Sequence, residues 1–175
     1  MKTLTLSALL LTTSLLADSY FSFFTQKSGV APVKNQAYIN ECASCHFAYQ
    51  PGLLPQQSWK KLMSNLENHF DTDASLEESD RVILLHYLVK NAADNATQYK
   101  RSKKINRSIP SEQTPIAVSE TPYFKKEHRK IPQRIILQKE VKSLSHCMAC
   151  HTTADKGIYS ERALKIPNYG GWDDD

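Results

Sequence analysis

Only four of the 175 residues are cysteine, three are methionine and six are histidine. All four cysteines fall in two short stretches, ECASCH (41–46) and HCMACH (146–151), so none is left to staple the rest of a fold. Beyond the first sixteen residues there is no run apolar enough to span a membrane, and the mature chain is expected to have no transmembrane segment. No βαβ pattern is visible, which removes the setting that a thioredoxin-like thiol centre needs. No nucleic-acid-binding motif is present either, and no acid/base cluster stands beside either cysteine stretch. Apart from the doubled Cys-x-x-Cys-His there are no repeats or low-complexity tracts.

The chain opens with a lysine at position 2, an apolar run from Leu4 to Leu16, and the small Ala17. That pattern is a secretory signal over 1–17, too short for a comfortable transmembrane helix and without a polybasic stop. The net charge of +4 conceals a division: residues 18–98 carry −3, residues 99–142 carry +8 and residues 143–175 carry −2. Export and the missing motifs argue against a nucleic-acid partner for the basic middle, which reads as a solvated linker or a docking face for an acidic protein.

In an exported chain, cysteines first suggest disulfides. A Cys-x-x-Cys pair, however, closes a small strained ring that suits redox chemistry better than cross-linking. Zinc is the next candidate, but two Cys-x-x-Cys-His units offer six ligands, too many for one tetrahedral site and too few for two. Cys-x-x-Cys-His is also the signature of covalent haem attachment. On a helix, Cys42 and Cys45 share a face and can form thioethers to one haem, while His46, four residues after Cys42, lies under the ring and ligates the iron. Cys147, Cys150 and His151 repeat the arrangement. Two covalently attached haem c groups are expected.

The surrounding sequence predicts a mainly α fold of two small haem domains, 18–98 and 122–175, joined by a basic linker or extended connection over 99–121. In the first, Val33, Ala37, Tyr38 and Cys42 recur at helical intervals, with Pro32 suited to the start. The Pro- and Gly-marked loop FAYQPGLLPQQ can offer a carbonyl to the outer nitrogen of the proximal histidine. Ser58 reads as the cap of a helix striped by Trp59, Leu62, Met63 and Leu66. Ser75 with Glu78 reads as a capping box for a helix over 76–93, with Val82, Leu85 and Val89 as core face. Thr121-Pro122 opens a short helix that closes before Pro132, and residues 139–151 form the second attachment helix. Haem supplies apolar bulk that domains this small otherwise lack.

The ligand on the far side of each iron separates an electron carrier from an open, gas-binding or catalytic site. Met148 and His146 belong to the second motif and cannot reach over its ring; Met63 sits on an apolar stripe and reads as core. His86, in ILLHYLV, reads as a buried structural histidine, though it stays an alternative ligand. His69, at a helix end in NHFDTDAS, and His128, four residues after Phe124, are the best distal pair. Two bis-histidine haems have lower potentials than methionine-ligated ones.

The stretches ECASCHFAYQPGLLPQQSW, LENHFDTDASLEE, YLVKNAAD, SETPYFKKEHRKIP and HCMACHTTAD resemble the small bacterial dihaem cytochromes c of the periplasm, over most of the mature sequence. The resemblance implies an N-terminal domain similar to a class I cytochrome c and a short, irregular C-terminal domain around the second haem. It pairs His46 with His69, and His151 with His128. It also implies a non-enzymatic role: one-electron transfer between redox partners, such as a membrane b-type cytochrome or a small periplasmic haem protein. A dihaem peroxidase or gas sensor with one open iron is the competing function; the chain leaves little length for its substrate pocket.

Overall fold

The computed structural model describes residues 27–169; the signal sequence expected over 1–17 and the acidic tail Trp172–Asp175 lie outside the described residues. Among the described residues six α-helices follow one another: α1 Gln36–Cys42, α2 Gln56–Met63, α3 Glu78–Lys90, α4 Lys100–Ser108, α5 Pro122–His128 and α6 Gln133–Ile136. Single 3-10 turns fall between and after them. Among the described residues there is no strand, only two isolated bridges, His69 with Thr72 and His151 with Leu164. The fold is mainly helical, as the sequence implies.

Local chemistry sets the helix boundaries, and several differ from expectation. The first helix begins at Gln36 rather than near Pro32, because the Asn35 side chain caps it by accepting from the Tyr38 amide at 2.8 Å. Ser58 is no cap: it lies fully buried inside α2, whose first amide, that of Gln56, instead donates to the distant Asp94 carboxylate at 3.0 Å. The Ser75–Glu78 capping box does not form either, since the Ser75 amide is taken by Asp73 and α3 starts only at Glu78. On α3 the buried residues are Leu84 and Leu88, while Val82 is 52 % and Ile83 58 % exposed. The run VILLHYLV is apolar on nearly every side, so periodicity alone could not choose the face; packing against α2 chose it. His86 is exposed, not a buried structural histidine.

The extended connection expected over 99–121 is corrected at Lys100–Ser108, which is helical and buries Ser102 and Ile105. Five consecutive basic or polar residues, Lys100 to Lys104, hid a helix whose two buried positions lie three residues apart. The expected second attachment helix over 139–151 is likewise absent: Lys142 takes a left-handed φ of 67°, which ends any helix there, and only Cys147–Ala149 forms a 3-10 turn. The Thr121-Pro122 start is as expected, with the Thr121 hydroxyl accepting from the Phe124 amide.

The main core gathers Tyr38, Leu54, Trp59, Met63, Leu66, Leu84, Leu88 and Ala92. A smaller one, Val30, Leu53 and Ile105, ties the chain start and α4 to the C-terminal segment. Several hydrogen bonds join the halves. The Gly29 and Val30 amides donate to the Gly157 carbonyl, at 2.8 and 3.3 Å. Gly157 has φ +71°, and a Cβ there would stand 2.2 Å from the Val30 carbonyl oxygen, so only glycine fits. The fully buried Gln50 amide donates to the Ala154 carbonyl and accepts from the Tyr159 hydroxyl.

Candidate functional site

The first Cys-x-x-Cys-His straddles a helix end rather than lying on one helix. Cys42 closes α1, the Ala43 amide bonds the Ile39 carbonyl at 2.9 Å, and Cys45 and His46 follow in an exposed turn. His46 Nδ1 donates to the Phe47 carbonyl at 2.8 Å, the first carbonyl of the loop in which the sequence placed such a partner. A carbonyl can only accept, so the proton is on Nδ1 and the lone pair on Nε2. Facing it is His69, at the end of the 3-10 turn Leu66–Asn68. His69 and Thr72 exchange backbone hydrogen bonds of 2.9 and 3.1 Å around Phe70 and Asp71, with φ of 52° and 65°. That is the geometry of a two-residue type I′ turn, which asks for positive φ at both inner positions. A phenylalanine held there costs about 1 kcal/mol, strain that persists where the surroundings need the turn. The turn sets the His69 ring 6.1 Å from the His46 ring, at 27° between planes.

The second motif forms a single helical turn, with the His151 amide donating to the Cys147 carbonyl at 2.8 Å. Cys147, Cys150 and His151 therefore do share one face, as the spacing implies. His128 ends α5, stacks on Phe124 with ring centres 3.8 Å apart and 14° between planes, and donates from Nδ1 to the Phe124 carbonyl at 2.9 Å. Its Nε2 lone pair is thereby free, and its ring lies 6.1 Å from that of His151, at 76°. A cavity of about 370 Å³ contains all four of these residues, Cys147, Cys150, His128 and His151, and is walled by apolar side chains that include Leu53, Ile105, Ile135, Val141 and Leu144. The first pair is more open: His46 is exposed.

Two imidazoles that ligate one metal ion from opposite sides, with bonds of about 2.0 Å, hold their ring centres roughly 6 Å apart. Both histidine pairs stand at that separation, each beside its own cysteine pair. Among the described residues no group of three or more His, Cys, Asp or Glu gathers as a metal cage. Two facing imidazoles suit an iron whose remaining four ligands come from a macrocycle, and the residues fit such a group. The ring chemistry agrees. Burial, aided by His46, holds His69 below the ordinary histidine range. Burial does the same to His128, against its bond to the Phe124 carbonyl. His151 is pushed down to about 4 by burial, His128 and Arg101. Neutral imidazole is the ligating form. The thiols argue against thiol–disulfide chemistry: burial and Glu41 push Cys42 up to about 11, and burial pushes Cys147 up to about 11 and raises Cys150. A redox-active cysteine is shifted the other way.

The structure thus brings together each of the eight residues expected from the sequence, in two sets of four. Of the alternatives, Met63 is in the core, while His146 lines the same cavity as the second set, with Nδ1 donating to the Val141 carbonyl. Sequence reading missed the groups that join the two sets. Tyr49 packs against His46 with ring centres 5.2 Å apart and 52° between planes, and its hydroxyl donates to the Ser145 carbonyl at 2.6 Å. Tyr159 packs edge-on to His151 at 5.3 Å. Arg101 lies over the Tyr123 and Tyr159 rings and donates to the Tyr123 hydroxyl and the Tyr159 carbonyl. An arginine in a basic stretch gives no sequence signal that it will turn inward; Tyr159 offered only its closeness to the second motif.

The family model for dihaem cytochrome c matches residues 38–159, which include both motifs and both facing histidines. Among solved structures, a diheme cytochrome c from Rhodobacter sphaeroides is similar at 38 % identity and a TM-score of 0.66, covering 74 % of this chain and 100 % of its own. A diheme cytochrome type c from Shewanella baltica OS155 is similar at 36 % identity and a TM-score of 0.65, covering 79 % of this chain and 98 % of its own. Among curated proteins none matches. Among the described residues no helix is long and apolar enough to cross a membrane. The family points to electron transfer rather than catalysis, and to redox proteins as partners. With the match spanning most of the chain and holding both attachment motifs, this chain belongs to the dihaem cytochrome c family and carries two covalently attached c-type haems.

Proposed function

We propose that the chain is an exported, periplasmic electron carrier with two bis-histidine haems. Cys42 and Cys45 would attach the first haem, and His46 and His69 would hold its iron. Cys147 and Cys150 would attach the second, and His151 and His128 would hold its iron. The observation that carries this reading is the pair of facing imidazoles, ring centres 6.1 Å apart in both cases, each beside one Cys-x-x-Cys. When bound, each haem supplies a one-electron couple at its iron. The residues do the rest. The bonds from Nδ1 of His46 and His128 to backbone carbonyls fix which nitrogen faces the metal and in what orientation. The type I′ turn and the Phe124 stack hold the distal rings in place, so neither centre keeps an open coordination position for peroxide or gas. Between the centres, Tyr49 packs on His46 and bonds to the Ser145 carbonyl beside the second motif, and Tyr159 packs on His151. Partners are redox proteins, with a membrane b-type cytochrome or a small periplasmic haem protein as the expected kinds.

The test is the absorption spectrum of the reduced protein, produced with haem-maturation machinery, before and after carbon monoxide. Two low-spin c-type haems and an unchanged Soret band are expected. A carbon monoxide shift in part of the Soret band would mean that one iron is open, and the peroxidase or sensor reading would replace this one.

A further inference from the structure

The two centres are built alike but sit in unlike surroundings. Around the first, His46 is exposed, and the carboxylates that flank His46 and His69 in sequence, Glu41, Glu67, Asp71 and Asp73, are all exposed. Around the second, the cysteines and histidines line an apolar cavity. Five charged side chains on that cavity wall, Lys126, Glu127, Arg129, Lys130 and Glu161, are exposed, so solvent screens them. The sixth, Arg101, is not exposed. Its Nε is buried without a hydrogen-bond partner, and its guanidinium lies 5.5 Å from the centre of the Tyr159 ring, which in turn lies 5.3 Å from the His151 ring. A guanidinium stays charged, so this positive charge is permanent.

We propose that Arg101, together with burial, makes the second haem the higher-potential one, so that electrons run from the first centre to the second. An oxidised haem carries one more positive charge than a reduced one. A half-buried cation, less screened than the exposed ones, and a low-dielectric cavity both disfavour that extra charge, and both act on the second centre. The exposed carboxylates and solvent at the first centre act in the opposite sense. In the step itself one electron leaves the first iron, which goes from ferrous to ferric, and enters the second, which goes from ferric to ferrous. No proton or bond is exchanged, and an external one-electron donor re-reduces the first iron. Tyr49, which touches His46 and bonds to Ser145 beside the second motif, lies on the direct route.

The inference rests on the bis-histidine reading, and its test separates the two. The holoprotein is titrated with dithionite under potential control and followed by electron paramagnetic resonance, in which the 27° and 76° ring pairs give different low-spin ferric signals. The signal of the near-perpendicular pair, His128 and His151, is expected to disappear first. Arg101→Gln should lower the second potential by about 59 mV, a tenfold change in the exchange equilibrium, and leave the first unmoved. Arg101→Lys, which keeps the charge, should stay close to the wild type. Loss of the near-parallel signal first overturns the proposed order. A second potential unmoved in Arg101→Gln overturns the role of Arg101. If that variant does not accumulate, Arg101→Lys decides the role, and a fall in its second potential as large as 59 mV overturns it. A high-spin signal in the wild type would instead remove the ligation reading beneath the inference.

Discussion

Gly157→Ala tests whether the two haem segments stand or fall together. Gly157 ends a 3-10 turn with φ +71°, and its carbonyl accepts from both Gly29 and Val30. An L-residue in that conformation costs about 1–2 kcal/mol. The added methyl would lie 2.2 Å from the Val30 carbonyl oxygen, so the two strands of chain must separate. Weakening the two hydrogen bonds adds roughly 1 kcal/mol each. The sum, about 3–4 kcal/mol, corresponds to a fall in Tm of about 10 °C for a chain of this size. Gly29→Ala is the control: its Cβ would meet the Arg101 Cβ at 3.2 Å, with no positive φ, and it should lose less than half as much. Melting followed by far-ultraviolet circular dichroism and by the Soret band gives both numbers. If Gly157→Ala melts within about 2 °C of the wild type, the joint between the halves is not what the hydrogen bonds imply.

Two further substitutions address the distal ligands. His69→Met should raise the first potential by at least about 59 mV, a tenfold shift, or open that iron to carbon monoxide, while the second haem is unaffected; an unchanged first-haem spectrum and potential would remove His69 as a ligand. Thr121→Ala removes the cap of the helix that presents His128, and should cost about 1–2 kcal/mol and let carbon monoxide reach the second iron more readily, with an unaltered melt counting against that support.

The chemistry was legible in the sequence because covalent attachment demands fixed residue types at fixed spacing: Cys42, Cys45 and His46, then Cys147, Cys150 and His151. His128 was legible through its helical offset from Phe124, a local relation. What escaped was everything set by distant parts of the chain. The cap of α2 comes from Asp94, 38 residues away, so Ser58 was a reasonable local choice that tertiary packing overrode. The buried face of α3 is decided by α2, because apolar residues on several sides leave periodicity silent. Arg101 looks like one more solvated cation until the Tyr123 and Tyr159 rings are placed beside it. The type I′ turn at Phe70 and Asp71 has none of the glycine or asparagine that usually marks one, so the device that aims His69 gave no signal.

The most direct test of the central claim, two haems each held between two histidines, is the electron paramagnetic resonance spectrum of the fully oxidised holoprotein in frozen solution. Near-parallel imidazole planes split the two iron d orbitals that interact with them, and near-perpendicular planes leave those orbitals almost equal in energy. Planes at 27° in one centre and 76° in the other therefore predict two low-spin ferric signals of equal intensity, one rhombic and one strongly anisotropic. A high-spin ferric signal from either centre would show an iron without its second histidine and contradict the account.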